Sequence, residues 1–161
     1  MTSQKNPALF TSTTDQWTTP QNLFDSIQQE YGLFDLDAAA DEYNSKAPNF
    51  ISKENDSLKT PWLHDNVWLN PPYGRTLLHW AKKCLQEIKH GQPNQIVILI
   101  PARTDTRWFN LLASQSSEIH FFKGRIKFGH GLSSAPFPSA LIVLKSVDKS
   151  PIIVSFGKVV P

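Results

Sequence analysis

The period of the apolar positions changes several times along the chain, and each change marks an element. Leu23, Phe24, Ile27 and Tyr31 recur three or four residues apart, as on one face of a helix. Thr19 and Pro20 precede them as a capping hydroxyl and a proline at the first helical position, and Gly32 stands where a helix stops. Leu33 to Ala38 alternates apolar and acidic residues, the pattern of a short strand. Residues 41–66 have no clear period and contain Pro48 and Pro61. A structureless loop of that length is uncommon, so the stretch is expected to be functional or to hide short elements.

Val67 to Leu69 forms another short strand, halted by Asn70-Pro71-Pro72 because proline donates no ladder bond. Leu77, Ala81, Cys84, Leu85 and Ile88 share a helix face, with Gly91 and Pro93 beyond its end. Ile96 to Ile100 is apolar at every position, as in a strand covered on both sides. Thr104 and Asp105 then read as the cap of a helix carrying Trp108, Phe109, Leu111 and Leu112. Ile119 to Phe122, Ile126 to Phe128, Ala140 to Leu144 and Ile152 to Phe156 complete the strands. Strands alternating with helical segments predict an α/β sheet with helices on both faces, closing in antiparallel strands at the C-terminal end. Residues 1–16 are polar and aperiodic, an expected flexible tail, and residues 17–161 are expected to form a single domain.

Composition narrows the chemistry. The one cysteine, Cys84, excludes an internal disulfide framework and a multi-cysteine zinc site. The five histidines show no metal-ligand spacing with each other or with Cys84, so no metal is expected. No apolar run approaches the roughly 20 residues of a membrane helix, and residues 1–16 lack the features of a secretory signal. A cytoplasmic protein without a membrane partner is the expectation. There is no phosphate-cradling lysine loop and no nucleophilic Ser or Cys motif. The charges are unevenly placed: residues 1–66 hold four Lys and ten acids, and residues 67–161 hold twelve Lys or Arg and four acids. A basic half suits a polyanion, and an acidic half suits a ligand with positive charge.

The candidate chemistry centres on Asn70-Pro71-Pro72-Tyr73. Placed between a strand and a helix, this turn lies at the carboxyl edge of the sheet, where open α/β folds bind ligands. An exocyclic amine on a base is a poor nucleophile because its lone pair is delocalised into the ring. Two acceptors that take the amine hydrogens favour a pyramidal nitrogen and localise that pair. The Asn70 side-chain oxygen and the Pro71 carbonyl are the candidate acceptors, and the two prolines hold the backbone in place. Tyr73 offers a ring on which a planar base can stack. The other reading is a plain turn after a strand.

Upstream, Asp35 and Asp37 end a strand and precede Ala38, Ala39 and Ala40, small residues that let a ligand approach the backbone. A carboxylate there can hold an amine or a sulfonium, and Asp56 can receive an adenine amine or a ribose; both also fit loop carboxylates that cap helices or face water. Lys123, Arg125 and Lys127, with Arg75, Arg103 and Arg107, are candidate phosphate contacts, although Arg107 can pair with Asp105 instead. Phe137, between Pro136 and Pro138, fits either a wall of the base pocket or the core.

Several of these segments occur together in one known family. Trp17-Thr18-Thr19-Pro20, the FDLDAAA segment at 34–40, the loop with Asn44, Lys46 and Asp56, and Asn70-Pro71-Pro72-Tyr73-Gly74 come first. The stretches 101–108 (PARTDTRW), 124–128 (GRIKF) and 135–140 (APFPSA) follow in matching order. Over residues 15–145 the chain resembles the phage DNA N6-adenine methyltransferases. The resemblance implies a Rossmann-like class I methyltransferase sheet, S-adenosylmethionine as methyl donor, and an adenine of double-stranded DNA as acceptor. It implies that Trp17, Thr18, Thr19, Pro20, Asp37, Ala38, Ala39 and Asp56 form the donor pocket and that Asn70, Pro71, Pro72 and Tyr73 hold the base. Ala38-Ala39-Ala40 replaces the glycine-rich turn of the wider class, and the span from Asp37 to Asn70 is short, so an abbreviated sheet is expected on that side. The same turn also suits a cytosine N4, an RNA base or a protein glutamine, and a DNA-binding relative without catalysis is the alternative from another class.

Overall fold

The computed structural model describes residues 17–129 and 133–146 and the backbone of 152–158. The expected tail at 1–16 and His130 lie outside the described residues. Helix α1 (Gln21–Tyr31) is followed by two-residue strands β1 (Leu36–Asp37) and β2 (Asn49–Phe50). Then come β3 (Asn66–Leu69), α2 (Leu77–His90), β4 (Gln95–Pro101), α3 (Arg107–Ala113), β5 (Glu118–Lys123), β6 (Ser139–Lys145) and β7 (Ile152–Lys158). The strands form one sheet in the order β2-β1-β3-β4-β6-β5-β7.

Strands β2, β1, β3 and β4 pair in parallel, and β6 runs antiparallel to both β4 and β5. A single reversed strand therefore sits inside an otherwise parallel sheet, an arrangement that fits the Rossmann-like methyltransferase expectation. The C-terminal end departs from it in one respect: β7 pairs in parallel with β5, so β6 alone is reversed. The abbreviation expected after Asp37 is present, because β1 and β2 contribute two residues each. Residues 41–66 do hide short elements, namely β2 and a 3-10 turn at Lys53–Asn55.

The core follows the apolar periods. Every residue of β4 from Ile96 to Pro101 is buried, as its unbroken apolar run requires. Phe24 of α1 meets Trp68 of β3 edge-on, with ring centres 5.3 Å apart, and tilts against Phe34 at 5.6 Å. The irregular stretch before β3 is pinned to α2 by Trp62, which is fully buried. Its indole N–H donates to the Ser57 hydroxyl at 2.9 Å, and its backbone N–H donates to Glu87 Oε2 at 3.1 Å. Glu87 in turn pairs with buried Lys83 at 2.6 Å.

Three local expectations are corrected. Thr19 does not cap α1: Pro20 is the N-cap residue, Thr19 lies one position outside it, and its hydroxyl is engaged in the site described below. The cap of α3 is Thr106, whose Oγ1 accepts the Phe109 N–H at 3.3 Å, and not Thr104 or Asp105. Ile126 to Phe128 is loop and not strand: Ile126 and Phe128 face the core, Lys127 faces out, and the Ile126 carbonyl accepts the Ala135 N–H at 2.8 Å. Gly32 ends α1 as expected, at φ 84°, with its N–H on the Gln28 carbonyl.

Candidate active site

The parallel pairing of β1, β3 and β4 brings their carboxyl ends to one edge of the sheet. In register, Asp37 stands beside Trp68, and Leu69 beside Ile98. The loops that follow these strands carry Ala38–Lys46, Asn70–Gly74 and Arg103–Thr106. Strand β6 begins at the same edge, with Ser139 opposite Pro101, so Phe137 enters the site from the start of a strand. Strand β5 ends there too and delivers Lys123, Arg125 and Lys127.

Asn70 is fixed by contacts far away in sequence. Its Nδ2 donates to the Trp17 carbonyl and, at 3.0 Å, to Thr19 Oγ1. Both amide hydrogens are thereby used. Its Oδ1 is buried and has no hydrogen-bond partner. Leaving a buried acceptor unpaired costs on the order of 1–3 kcal/mol, so this oxygen calls for a donor to meet it. The orientation of the amide follows from chemistry: the Trp17 carbonyl only accepts, so it must face the nitrogen.

The turn after Asn70 is tight. Pro71 is buried, and Gly74 takes φ 132°, a backbone region closed to most side chains. Tyr73 is 6% exposed, and its hydroxyl donates to the Leu99 carbonyl at 3.3 Å. Burial pushes the Tyr73 phenol far above its ordinary value, so it stays a neutral donor. Its ring meets Phe137 edge-on at 5.5 Å and Phe128 at 6.2 Å, and Trp17 meets the same two rings at 5.3 and 5.6 Å. Four aromatic rings thus wall the turn. Phe128 is the member that sequence reasoning missed, because its alternation with Ile126 reads as a strand.

The segment Trp17–Pro20 is drawn into this edge along its length, with the Thr18 carbonyl accepting the Gly129 N–H at 2.9 Å. Asp37 is 3% exposed; its Oδ1 accepts the Ala39 N–H at 3.3 Å and its Oδ2 the Lys46 N–H at 3.0 Å. Burial pushes the Asp37 carboxyl up to about 6, against the opposing pull of those two N–H groups and of the Lys46 charge. Beyond it, Asp41 and Asn44 hold the loop by reciprocal bonds: Asn44 Oδ1 accepts the Asp41 N–H at 2.8 Å, and Asp41 Oδ2 accepts from Asn44 Nδ2 at 2.9 Å.

Asp56 is placed differently. It sits in the left-handed region at φ 47°, and its carboxylate pairs with exposed Lys59 at 2.8 Å, which holds it below its usual range. No bond links it to the cluster around Asn70. Arg75, Arg103, Arg107, Lys123, Arg125 and Lys127 are all exposed. Among the described residues none of the six forms a salt bridge, so the pairing of Arg107 with Asp105 is not made. Among the described residues no group of three His, Cys, Asp or Glu is placed to hold a metal ion, and no helix is long and apolar enough to cross a membrane.

The chain is 40% identical to the DNA N-6-adenine-methyltransferase of Escherichia phage T1 over 106 residues, which are 65% of this chain and 43% of that protein. It is 33% identical to the DNA N-6-adenine-methyltransferase of Haemophilus phage HP1 (strain HP1c1) over 116 residues, 71% of this chain and 66% of that protein. The match thus spans less than half of the first relative and about two thirds of the second. Residues 7–154 match the family described as DNA N-6-adenine-methyltransferase (Dam), a stretch that includes the asparagine turn and the aromatic rings around it. With its asparagine turn at the carboxyl edge of a sheet containing one reversed strand, the chain belongs to the DNA N-6-adenine-methyltransferase (Dam) family.

Proposed function

We propose that this protein transfers a methyl group from S-adenosylmethionine to the N6 amine of an adenine flipped out of double-stranded DNA. The observation that carries the reading is the buried, unpaired Oδ1 of Asn70, with both Nδ2 hydrogens already used. A group that can only accept selects for an amine over a ring carbonyl: it welcomes an N–H and repels an oxygen. Names and sequences of the phage relatives support adenine in DNA as the bearer of that amine.

Asn70 Oδ1 and the Pro71 carbonyl take the two amine hydrogens and localise the nitrogen lone pair. The Pro71-Pro72 backbone keeps both acceptors in place as charge develops, so little reorganisation accompanies the reaction. Tyr73, Phe128, Phe137 and Trp17 form the apolar wall against which an extruded base can rest. The proton released by the amine passes to water, and no side chain need act as a base before transfer. Most of the acceleration then comes from alignment.

S-adenosylmethionine supplies an electrophilic methyl carbon on a sulfonium. The residues at the end of β1 fit it: Ala39 and Ala40 are small and only half-buried, Ala38 is buried beneath them with its N–H on the Trp68 carbonyl, and residues 17–66 hold a net excess of acid suited to a cationic ligand. Trp17, Thr18, Thr19, Pro20, Asp37, Ala38 and Ala39 would hold it. Asp56 would join them from the neighbouring loop. The six exposed cations would contact DNA phosphates and set the register of the duplex.

The test is methyl transfer from labelled S-adenosylmethionine to duplex DNA, RNA and protein in parallel, with the DNA digested to nucleosides. Label is expected in N6-methyldeoxyadenosine. Label in N4-methyldeoxycytidine, RNA or protein would reassign the substrate, and cofactor binding without transfer to any polymer would refute the proposed catalysis.

A further inference from the structure

We propose that Thr19 is a positioning residue for Asn70. Its hydroxyl oxygen takes the second amide hydrogen and so holds Oδ1 in the direction from which a substrate amine arrives. This rests on the reading of Asn70 as an amine acceptor.

A carboxamide is nearly symmetric in shape, and rotation about its Cβ–Cγ bond is soft. Partners alone decide which end faces the substrate. The Trp17 carbonyl claims the nitrogen, because two oxygen acceptors repel. One such bond still lets the amide plane rock about the shared axis. A second acceptor on the same nitrogen, Thr19 Oγ1 at 3.0 Å, fixes that plane. Thr19 is 3% exposed, so water does not compete for the bond.

The local backbone shows that the hydroxyl serves this bond and not its own helix. Pro20 is the N-cap of α1, so Thr19 stands one position outside the helix. In the first turn the Leu23 N–H is taken by Asn22 Oδ1 at 2.9 Å, not by Thr19. The oxygen instead reaches a residue 51 positions away in the chain. Its neighbours are bound just as purposefully: Trp17 gives its carbonyl to Asn70, and Thr18 gives its carbonyl to the Gly129 N–H at 2.9 Å. Three consecutive residues therefore strap the catalytic amide to the loop that carries Arg125 and Lys127.

Thr19→Val keeps the shape and removes the acceptor, and Thr19→Ser keeps the acceptor. With DNA and cofactor saturating, Thr19→Val is expected to lower kcat by about 10- to 100-fold with KM for DNA nearly unchanged, the signature of lost alignment. Thr19→Ser is expected to restore most of the rate. In the wild-type protein without substrate, nuclear magnetic resonance of the Asn70 side-chain amide should show both hydrogens protected from exchange, and Thr19→Val should free one of them. A wild-type kcat in Thr19→Val, or a raised cofactor KM at unchanged kcat, overturns the positioning role. If Thr19→Val does not fold, an unprotected amide hydrogen in the wild-type spectrum overturns it equally. Asn70→Ala separates the two readings. If that variant still methylates DNA, the proposed function fails; if it is inactive while Thr19→Val is fully active, the role of Thr19 fails.

Discussion

Asp37 and Lys46 are joined through carboxylate and backbone, not charge to charge. Asp37 Oδ2 accepts the Lys46 N–H at 3.0 Å, while the Lys46 ammonium donates to Gln21 Oε1 at 2.8 Å. The bond closes the loop between β1 and β2 onto the strand end that starts it. Because the carboxylate is buried and faces no paired cation, its ionisation works against the fold.

That sets a pH dependence. The Asp37 carboxyl rises from 3.8 to about 6 on folding, so the native state binds the proton more tightly than the unfolded chain. Its contribution to stability is full below about pH 4 and is lost as pH rises through 6, amounting to about 3 kcal/mol. Urea denaturation of the wild type should therefore show this group weakening the fold between pH 4 and 7. Asp37→Asn should remove that component and lose one of the two loop bonds, since an amide nitrogen cannot accept. Wild-type and variant curves of identical slope across this window would contradict the assignment.

The second expectation concerns Asn70 itself. Asn70→Ala removes one of two acceptors aimed at the developing charge, and losses of about 100- to 1,000-fold in kcat are usual for such a donor or acceptor. Cofactor binding, followed by calorimetry, should be largely retained. Turnover at the wild-type rate would remove Asn70 from the mechanism.

Burial of Lys83 and Glu87 gives a third. Lys83→Met keeps the volume and strands the Glu87 carboxylate, which also receives the Trp62 N–H. Breaking a buried pair from one side costs about 3–5 kcal/mol. Chemical denaturation should show a loss of this size, together with loosening of the stretch that Trp62 anchors. A change below about 1 kcal/mol would mean that the glutamate takes up a proton or reaches solvent at little cost.

A fourth concerns the cations along the carboxyl edge. If Arg125 contacts a phosphate, Arg125→Ala should weaken duplex binding across all sequences and reduce the salt slope of log K by about 1. An unchanged slope would place Arg125 away from the DNA.

The elements were legible where local pattern and tertiary environment agree. Ile96–Ile100 reads as a central strand because every position is apolar, and it is buried throughout. The stop after Leu69 is chemical, since two prolines cannot continue a ladder. Legibility failed where a distant partner outbid a neighbour. Thr19 has the residue type of a helix cap, but its hydroxyl meets Asn70, a contact that exists only once β3 and the N-terminal segment share an edge. Ile126 and Phe128 alternate like strand residues, yet they turn inward from a loop that closes over the aromatic rings. Thr106 outcompetes Thr104 and Asp105 for α3 because it is the residue three positions before an N–H in need of an acceptor. The asparagine turn itself was readable, but the orphaned oxygen that gives it meaning was not, because satisfaction of a polar atom is a property of three-dimensional neighbours.

The brevity of β2 carries a consequence for how these molecules coexist at high concentration. At the outer margin of the sheet, Asn49 and Phe50 provide only two residues of open backbone. A strand from another copy would find too few rungs there to bind, so this border gives sheet-to-sheet polymerisation no foothold.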